Sequence, residues 1–357
     1  MPSPLSSRCL IILLIWLGAQ TAAGRNSEPV DTTTFIPTPL VLMPLQNLSG
    51  YREPLQSVDS LLQVVMQEQG IELLTGGELR PLLKRNRIRS NGRVTAREAE
   101  TIRLETGCNY LMICSINFYL PEPTPEIALS SRILQLSDQT IVRATSTAGS
   151  SVEQVKPFMQ NSPYDKDRLI ELVVRELIQE LTLPVSPVDS SGTPYPRIVM
   201  IPFENSTGKG RTGEAVDNML LSTLVRSGYN VMDPGLEHEL FLQNGFLPVG
   251  EIDLETLVQL HELFKPDYLV TGCAEALLTA QEGSSGEGAM FEFTARVLEP
   301  SSGRLLAGRY SCRRGSDSEL ILGFGRVEST GRVMQDALAV LPELLDSLQS
   351  NRVSSAD

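Results

Sequence analysis

An internal repeat held at one constant offset constrains this chain more than any other feature. The segment "VLMPLQNLSG", Val41–Gly50, reappears 158 residues later as "VMIPFENSTG", Val199–Gly208. The register continues without a gap for about sixty positions. Further matches are Val58-Asp59 with Val216-Asp217, Gly70 with Gly228, Gly92 with Gly250, and Tyr110-Leu111 with Tyr268-Leu269. Chance would not hold one register so long, so the sequence predicts two tandem copies of one domain.

Each repeated segment contains a triplet that fits an N-glycosylation acceptor, Asn47-Leu48-Ser49 and Asn205-Ser206-Thr207. Duplication offers a simpler reading, because each copy needs the same turn after the same strand. An Asn side chain can hydrogen-bond the backbone two residues on, and Gly adopts positive φ without strain. We therefore predict that Asn47, Gly50, Asn205 and Gly208 form structural turns rather than sugar sites.

The N-terminus has the order of a secretory signal peptide. Arg8 precedes an apolar run, Cys9–Leu17, and a small-residue stretch that ends at Gly24. The run is short for a bilayer span, which favours cleavage after Ala23 over a retained anchor. Lipidation would need a cysteine just after the run, and the next cysteine is Cys108. We predict residues 1–23 as a signal peptide of an exported protein that is not a lipoprotein.

Composition excludes some partners. About 330 residues after cleavage exceed what one core usually supports, so two domains are expected. A net charge of −13 and a pI near 4.8 would repel nucleic acid. Four cysteines follow the signal peptide at spacings that match no zinc pattern, and no disulfide is assigned. Cys114, Cys273 and Cys312 lie in apolar strand-like runs and are predicted to be buried free thiols.

Hydrophobic periodicity gives the plan of the second copy. A strand at Arg197–Phe203, a helix at 214–227 and a strand at 229–233 are followed by helices near 234–243 and 254–264, with Asp253 as N-cap of the latter. Three antiparallel strands and a closing helix within 326–349 complete it. The first copy repeats this plan and closes with a helix near 167–181. The predicted fold is α+β, two tandem mixed five-stranded sheets with about four helices each, at 38–183 and 197–350, joined by a Pro/Ser-rich linker at 184–196.

The stretches "PFENSTG", "DYLVTG" and "RVLEPSSGRLL" of the second copy resemble a domain shared by the curli secretion component CsgG and the N-terminal domain of TolB. This resemblance implies a TolB N-terminal/anticodon-binding-like fold and a protein of the Gram-negative envelope, periplasmic or outer-membrane-associated. The group also includes lipoprotein activators of penicillin-binding proteins. The first copy departs from it, with Leu45 in place of Phe203 and Cys114 in place of Gly272, which indicates a diverged domain.

No catalytic, metal or cofactor constellation is evident. The only histidines, His238 and His261, lie in predicted amphipathic helices and are expected at solvated positions. The loop "GKGRTG", Gly208–Gly213, follows a strand and precedes a helix. It lacks the Gly-Lys-Ser/Thr ending of a P-loop. We therefore expect a protein that is not an enzyme and uses no cofactor.

The remaining function class is a periplasmic scaffold or accessory factor that acts through contacts with envelope proteins, with homo-oligomers or peripheral outer-membrane association as further expectations. One alternative is a CsgG-like oligomeric secretion component, but the arms of the Glu282–Gly288 turn become polar near its tip, and Pro121, Pro123 and Pro125 occupy the equivalent turn. A second alternative is a small-ligand sensor that uses a groove between the two copies.

Overall fold

A computed structural model describes residues 36, 39–152, 165–183, 195–244, 253–283, 288–319 and 326–354. The predicted signal peptide, residues 184–194 of the predicted linker and residues 284–287 of the hairpin turn lie outside this part of the chain. Residues 36–357 belong to one compact unit. Both repeated segments therefore fall within a single body.

The first copy builds a mixed sheet, which we call sheet one. Its strand order is β3-β1-β4-β5-β6, and β2 pairs with β4. The strands next to β1 are parallel to it, whereas β4, β5 and β6 form an antiparallel meander. The elements are β1 Leu40–Leu42, β2 Gln46–Asn47, α1 Pro54–Glu68, β3 Leu73–Leu74, α2 Gly76–Asn86, α3 Ala96–Thr106, β4 Tyr110–Leu120, β5 Glu126–Gln135, β6 Ile141–Ser150 and α4 Lys166–Leu181.

The second copy builds sheet two with the same strand order, β9-β7-β10-β11-β12, and β8 pairs with β10. Its elements are β7 Arg197–Met200, β8 Glu204–Asn205, α5 Thr212–Arg226, β9 Asn230–Val231, α6 Pro234–Asn244, α7 Leu254–Phe264, β10 Tyr268–Leu278, β11 Met290–Leu298, β12 Leu305–Arg314, α8 Thr330–Leu338 and α9 Val340–Ser354. The predicted α+β fold in two tandem copies is confirmed. Each sheet has six strands rather than five, because the two-residue strands β2 and β8 were not foreseen.

Local sequence explains the element boundaries. Asp253 caps α7 as predicted, since its carboxylate accepts a hydrogen bond from the Thr256 N–H at 2.8 Å. The predicted single closing helix is wrong, because the chain breaks at Ala339 into α8 and α9. A proline ring clashes with the carbonyl four residues before it, so Pro342 is incompatible with a helix that continues through Leu338.

Alternation along β11 shows how sheet two is packed. Phe291, Phe293, Ala295 and Val297, which occupy alternate positions of the strand, are all fully buried. The rings of Phe291 and Phe293 stack with centroids 5.6 Å apart. Because successive side chains of a strand point to opposite faces, the residues between them lie on the other face of the sheet.

The two copies share one hydrophobic core. On one face of sheet one lie α1 and α4 of the same copy. On its opposite face lie α5 and α8 of the second copy, and these two helices also pack against sheet two. Residues of both copies that meet in this core include Ile113, Ala144, Leu221, Val225, Phe293 and Met334. The order of layers is therefore helices, sheet one, helices, sheet two.

Gly331, in the first turn of α8, sets the distance between this helix and sheet one. A Cβ atom at position 331 would lie 2.6 Å from the Cβ of Ala128 and 2.7 Å from that of Ala148. We expect Gly331→Ala to lower the free energy of unfolding by about 1 to 3 kcal/mol, because neither neighbour is a flexible side chain that can move aside. Urea unfolding measures this change.

The control is Gly308→Ala on β12, where the nearest atom to an added Cβ is the Ala295 carbonyl oxygen at 3.8 Å. This substitution should change stability by no more than about 0.5 kcal/mol. Equal effects of the two substitutions would contradict the close approach of α8 to sheet one.

Candidate functional site

A buried ion pair joins the two copies. Arg132 on β5 donates from Nε to Oδ2 of Asp233, just before α6, at 2.6 Å. The exposed fractions of the two side chains are 6% and 0%. The Arg132 guanidinium also donates to the carbonyl of Gly92, and the second Asp233 oxygen accepts from the Gly235 N–H at 2.8 Å. Both charges are thus paired and hydrogen-bonded, as buried charges must be.

Two further carboxyl groups lie beside this pair. Glu237 on α6 is 2% exposed and accepts from the Met200 N–H at 3.2 Å. Burial raises its pKa well above the ordinary value, and the charges of Asp233 and Asp217 raise it further. Asp217 on α5 accepts from the Phe203 N–H at 2.9 Å. Burial raises the pKa of Asp217 to about 7, although this hydrogen bond acts in the opposite direction.

His238 completes the group, which we call the inter-copy cluster: Arg93, Arg132, Asp217, Asp233, Glu237 and His238. Its Nδ1 lies 3.1 Å from Nη1 of Arg93 in the first copy. Burial, followed by the Arg93 charge, lowers the pKa of His238. The expectation of solvated histidines was wrong, because His238 is half-buried at the junction and His261 is also half-buried. The helical pattern around His238 could not reveal that Arg93 of the first copy lies against this side chain.

The inter-copy cluster surrounds a cavity of about 30 Å³, also lined by Gln46, Asn91 and Phe241. A cavity of this size can hold a water molecule beside these polar groups. Within the described residues, no group of three or more His, Cys, Asp or Glu side chains is arranged to hold a metal ion. The arrangement connects the two copies through the Arg132–Asp233 ion pair and the contact of Arg93 with His238.

Two larger grooves run between the copies. One, of about 320 Å³, has an apolar lining that includes Leu48, Phe118 and Met334, and the ion pair of Lys209 with Glu282 lies beside it. The other, of about 490 Å³, is polar and lies among α4, α5, α8 and β6. Either groove is large enough for a small molecule.

The predicted turn residues occupy equivalent places in the two copies. The Asn47 side-chain oxygen accepts from the Ser49 N–H at 3.0 Å, and that of Asn205 accepts from the Thr207 N–H at 3.2 Å. Gly50 and Gly208 have φ of 81° and 69°. Asn47 and Asn205 end the strands β2 and β8, Gly50 and Gly208 lie in the turns that follow, and none of the four belongs to the inter-copy cluster.

Asn205 holds its loop with several side-chain contacts, including donation to the Gly210 carbonyl at 3.0 Å. We expect Asn205→Ala to lower the free energy of unfolding by about 1 to 2 kcal/mol, because these contacts close the loop before α5. When both proteins are produced in a glycosylating host, mass spectrometry should show that the unmodified chain and the Asn205→Ala variant differ only by the substituted side chain. Asn230→Ala, at an exposed position of β9, is the control and should leave stability nearly unchanged. A mass difference equal to a glycan would contradict the turn assignment.

All four described cysteines are free thiols. Cys108 and Cys114 are buried, and burial raises the pKa of the Cys114 thiol to about 12. Cys273 and Cys312 are only partly buried, so the prediction that they are fully buried was wrong. Both lie on the face of sheet two that α5 and α8 do not cover. The sequence pattern of a strand cannot show whether another element packs on such a face.

Comparisons with known proteins give fold likeness only. No family model matches the sequence, and no curated protein matches it. The chain is similar in structure to lipoprotein GNA1162 from Neisseria meningitidis, at 17% identity over 45% of this chain and 99% of that chain, with a TM-score of 0.29. It is also similar to the LpoB C-terminal domain from Escherichia coli, at 8% identity, 33% and 81% coverage and a TM-score of 0.25.

A third similar structure is TolB from Acinetobacter baumannii, at 12% identity over 47% of this chain and 30% of that chain, with a TM-score of 0.25. Likeness at this level says nothing about the activity of this chain. The resemblance to the CsgG and TolB group therefore stays a prediction. None of the described helices is long and apolar enough to cross a membrane.

Proposed function

We propose that the protein is a non-catalytic accessory or scaffold factor of the Gram-negative cell envelope that acts through protein–protein contacts. The observation that supports this most directly is that a buried ion pair and a common hydrophobic core connect the two copies. Arg132 and Asp233 neutralise each other across the junction, and the copies share one core. The Arg132–Asp233 pair and the contact of Arg93 with His238 connect the two copies, which supports a role in holding them in one fixed arrangement.

Fixed arrangement suits a protein that works by contact. A pre-organised surface binds a partner at a smaller entropic cost than two domains that must first be ordered relative to each other. The sequence pattern of a signal peptide supports export to the compartment where envelope assemblies form. Together these features favour a scaffold over a hinged enzyme.

Affinity capture from chemically crosslinked cells tests this function. The tagged full chain should recover specific envelope proteins in amounts well above those obtained with a version that lacks residues 1–23 and stays in the cytoplasm. Recovery of the same set by both versions, or of no envelope protein by the full chain, would contradict the proposal.

A small-ligand sensor is the second candidate function, and the groove of about 320 Å³ favours it. Its lining is mostly apolar, and Lys209 and Arg211 beside it, which pair with Glu282 and Glu214, would exchange these carboxylates for the head group of an amphipathic anion. Thermal shift with fatty acids and related anions should raise the melting temperature by mass action if one of them binds. Tyr51→Glu, which places a negative charge at the partly exposed edge of this groove, should abolish that rise. If no anion of this class raises the melting temperature, the sensor function is contradicted and the scaffold function is the remaining candidate.

A further inference from the structure

One face of sheet two is covered by α6 and α7 only at the end that holds Leu269 and Leu298, whereas the rest of this face is uncovered and its equivalent in sheet one is covered. The strand registers place Thr271, Arg296 and Gly308 in one row, Cys273, Thr294 and Tyr310 in the next, and Glu292 and Cys312 in a third. We call this surface the open face. Tyr310 is 58% exposed, and Arg296 and Gly308 are also exposed. In sheet one the corresponding positions, which include Ser130, Arg132 and Ser146, are buried.

Helices of the second copy bury the face of sheet one through polar contacts. The Asn218 side chain on α5 donates to the Ser115 hydroxyl at 3.2 Å. Gln335 on α8 donates to the Ser146 carbonyl at 2.7 Å and to its hydroxyl at 3.0 Å. Arg332 donates to the Ala148 carbonyl at 2.9 Å. A polar sheet face of this fold can therefore bind a polar helix.

The equivalent of α5 in the first copy is α1, and its outer side is exposed. At the constant offset, Asn218 corresponds to Ser60 and Ser222 to Val64. Val64 is 47% exposed. The middle of the outer row of α1 contains no charged residue and consists of Gln56, Ser60, Gln63, Val64 and Gln67; Asp59, which accepts from Gln63 at 3.1 Å, and the ion-paired Glu68 flank it. Soluble surfaces are normally rich in charge, whereas the centres of interfaces are depleted of it.

We propose that molecules of this protein associate head to tail, with the outer side of α1 of one molecule lying on the open face of the next. The contact repeats between molecules the one that α5 makes with sheet one inside each molecule. The Thr294 and Tyr310 hydroxyl groups donate to Glu275 and Glu292, so their oxygens and these two carboxylates would accept from the Gln and Ser side chains of α1. Because the two surfaces differ, the association continues from molecule to molecule and gives a ring if it closes or a filament if it does not.

A second copy of the chain is the occupant that the structure favours. The open face and α1 correspond position by position to two surfaces already in contact inside the molecule. Tyr310 and Arg296 project where Ser146 and the ion-paired Arg132 lie in sheet one, so the helix would lie farther from the sheet. We therefore expect reversible association that depends on protein concentration. This inference needs no other envelope component, so its test is independent of the function proposed above.

Disulfide trapping tests the contact. Ser60→Cys places a thiol on α1 that would face the native Cys273 of the next molecule. Mild oxidation of the purified full chain should give a ladder of dimers, trimers and larger species. Glu100→Cys, at an exposed position of α3, should give at least fivefold less crosslinked product, and so should Ser60→Cys combined with Cys273→Ser and Cys312→Ser. A ladder that survives removal of both native thiols, or no ladder with Ser60→Cys, would overturn the proposal.

Sedimentation measures the association without a new thiol. Across about 1 to 200 μM protein, the weight-average mass of the unmodified chain should rise above that of the monomer. Tyr310→Glu should weaken association at least tenfold and leave the thermal unfolding curve nearly unchanged, because this side chain is exposed. A chain that stays monomeric over the whole range, or a Tyr310→Glu variant that associates equally well, would overturn the proposal.

Discussion

Replacement of Arg132 by alanine is expected to lower the free energy of unfolding by about 3 to 5 kcal/mol. The change leaves the Asp233 carboxylate at 0% exposure without its cation, and removes a donor from the Gly92 carbonyl. A buried charge that loses its partner carries the cost of desolvation without compensation. Urea unfolding at neutral pH, followed by circular dichroism, measures the change.

The control for this prediction is Arg175→Ala. Arg175 on α4 pairs with Glu68 at 2.8 Å and with Glu171 at 3.0 Å, and 43% of its side chain is exposed. Exposed pairs contribute about 0 to 1 kcal/mol, so this variant should remain nearly as stable as the unmodified chain. An Arg132→Ala variant that loses no more than the Arg175→Ala variant would contradict the role of the buried pair.

A double variant separates the two terms of this loss. In Arg132→Met with Asp233→Asn, neither member of the pair carries a charge, and the asparagine can still accept from the Gly235 N–H. We expect it to recover at least half of the stability that Arg132→Ala loses, since apolar or neutral replacements of buried ion pairs are often tolerated. A double variant as unstable as Arg132→Ala would show that packing around Arg132, rather than the uncompensated charge, determines the effect.

The sequence predicts the architecture of each copy because local patterns and duplication agree. Alternation in β11, the Asp253 cap and the repeated Gly50 and Gly208 positions each act over a few residues, and two copies give the same reading twice. The break before α9 was missed, although Pro342 could have indicated it. Helices, strands and turns that depend on a few neighbouring residues could therefore be predicted from the sequence.

The inter-copy cluster was not predicted, because its members are distant in sequence. Arg132 and Asp233 are 101 residues apart and belong to different copies. A hint was present, since Arg132 interrupts the apolar end of a strand and Asp217 lies within a helix buried on nearly all sides. Charges at such positions need partners. The partner of Arg132 could not be identified until the fold placed the start of α6 beside sheet one.

Stability is expected to fall as pH rises from about 4 to above 7, through the contribution of Asp217. The ordinary pKa of this carboxyl is 3.8, and burial raises it to about 7 in the folded protein. Between these values the folded state keeps a proton that the unfolded state has lost, so the free energy of unfolding decreases with pH. The difference corresponds to at most about 4 kcal/mol above pH 7.

The groups around Asp217 set this direction. The Phe203 N–H and the Arg93 charge favour the ionised carboxylate, and the Glu214 charge opposes it, but burial outweighs them. Glu237 contributes with the same sign, since its folded-state pKa is also raised. Exposed Glu171 acts oppositely, because Arg175 and Arg168 lower its pKa and its contribution is lost as pH falls. The contribution of Asp217 is therefore measured as the difference in the free energy of unfolding between the unmodified chain and a variant at this position.

Asp217→Asn isolates the contribution, because asparagine stays neutral and can still accept from the Phe203 N–H. We expect this variant to match the unmodified chain near pH 4 and to be more stable by up to about 4 kcal/mol at pH 8. The control is Asp253→Asn, since hydrogen bonds from Thr256 lower the pKa of Asp253 and asparagine also caps helices well. It should gain nothing at pH 8. Urea unfolding at both pH values measures the two differences, and an Asp217→Asn variant with no gain at pH 8 would show that the carboxylate is accommodated in its ionised form.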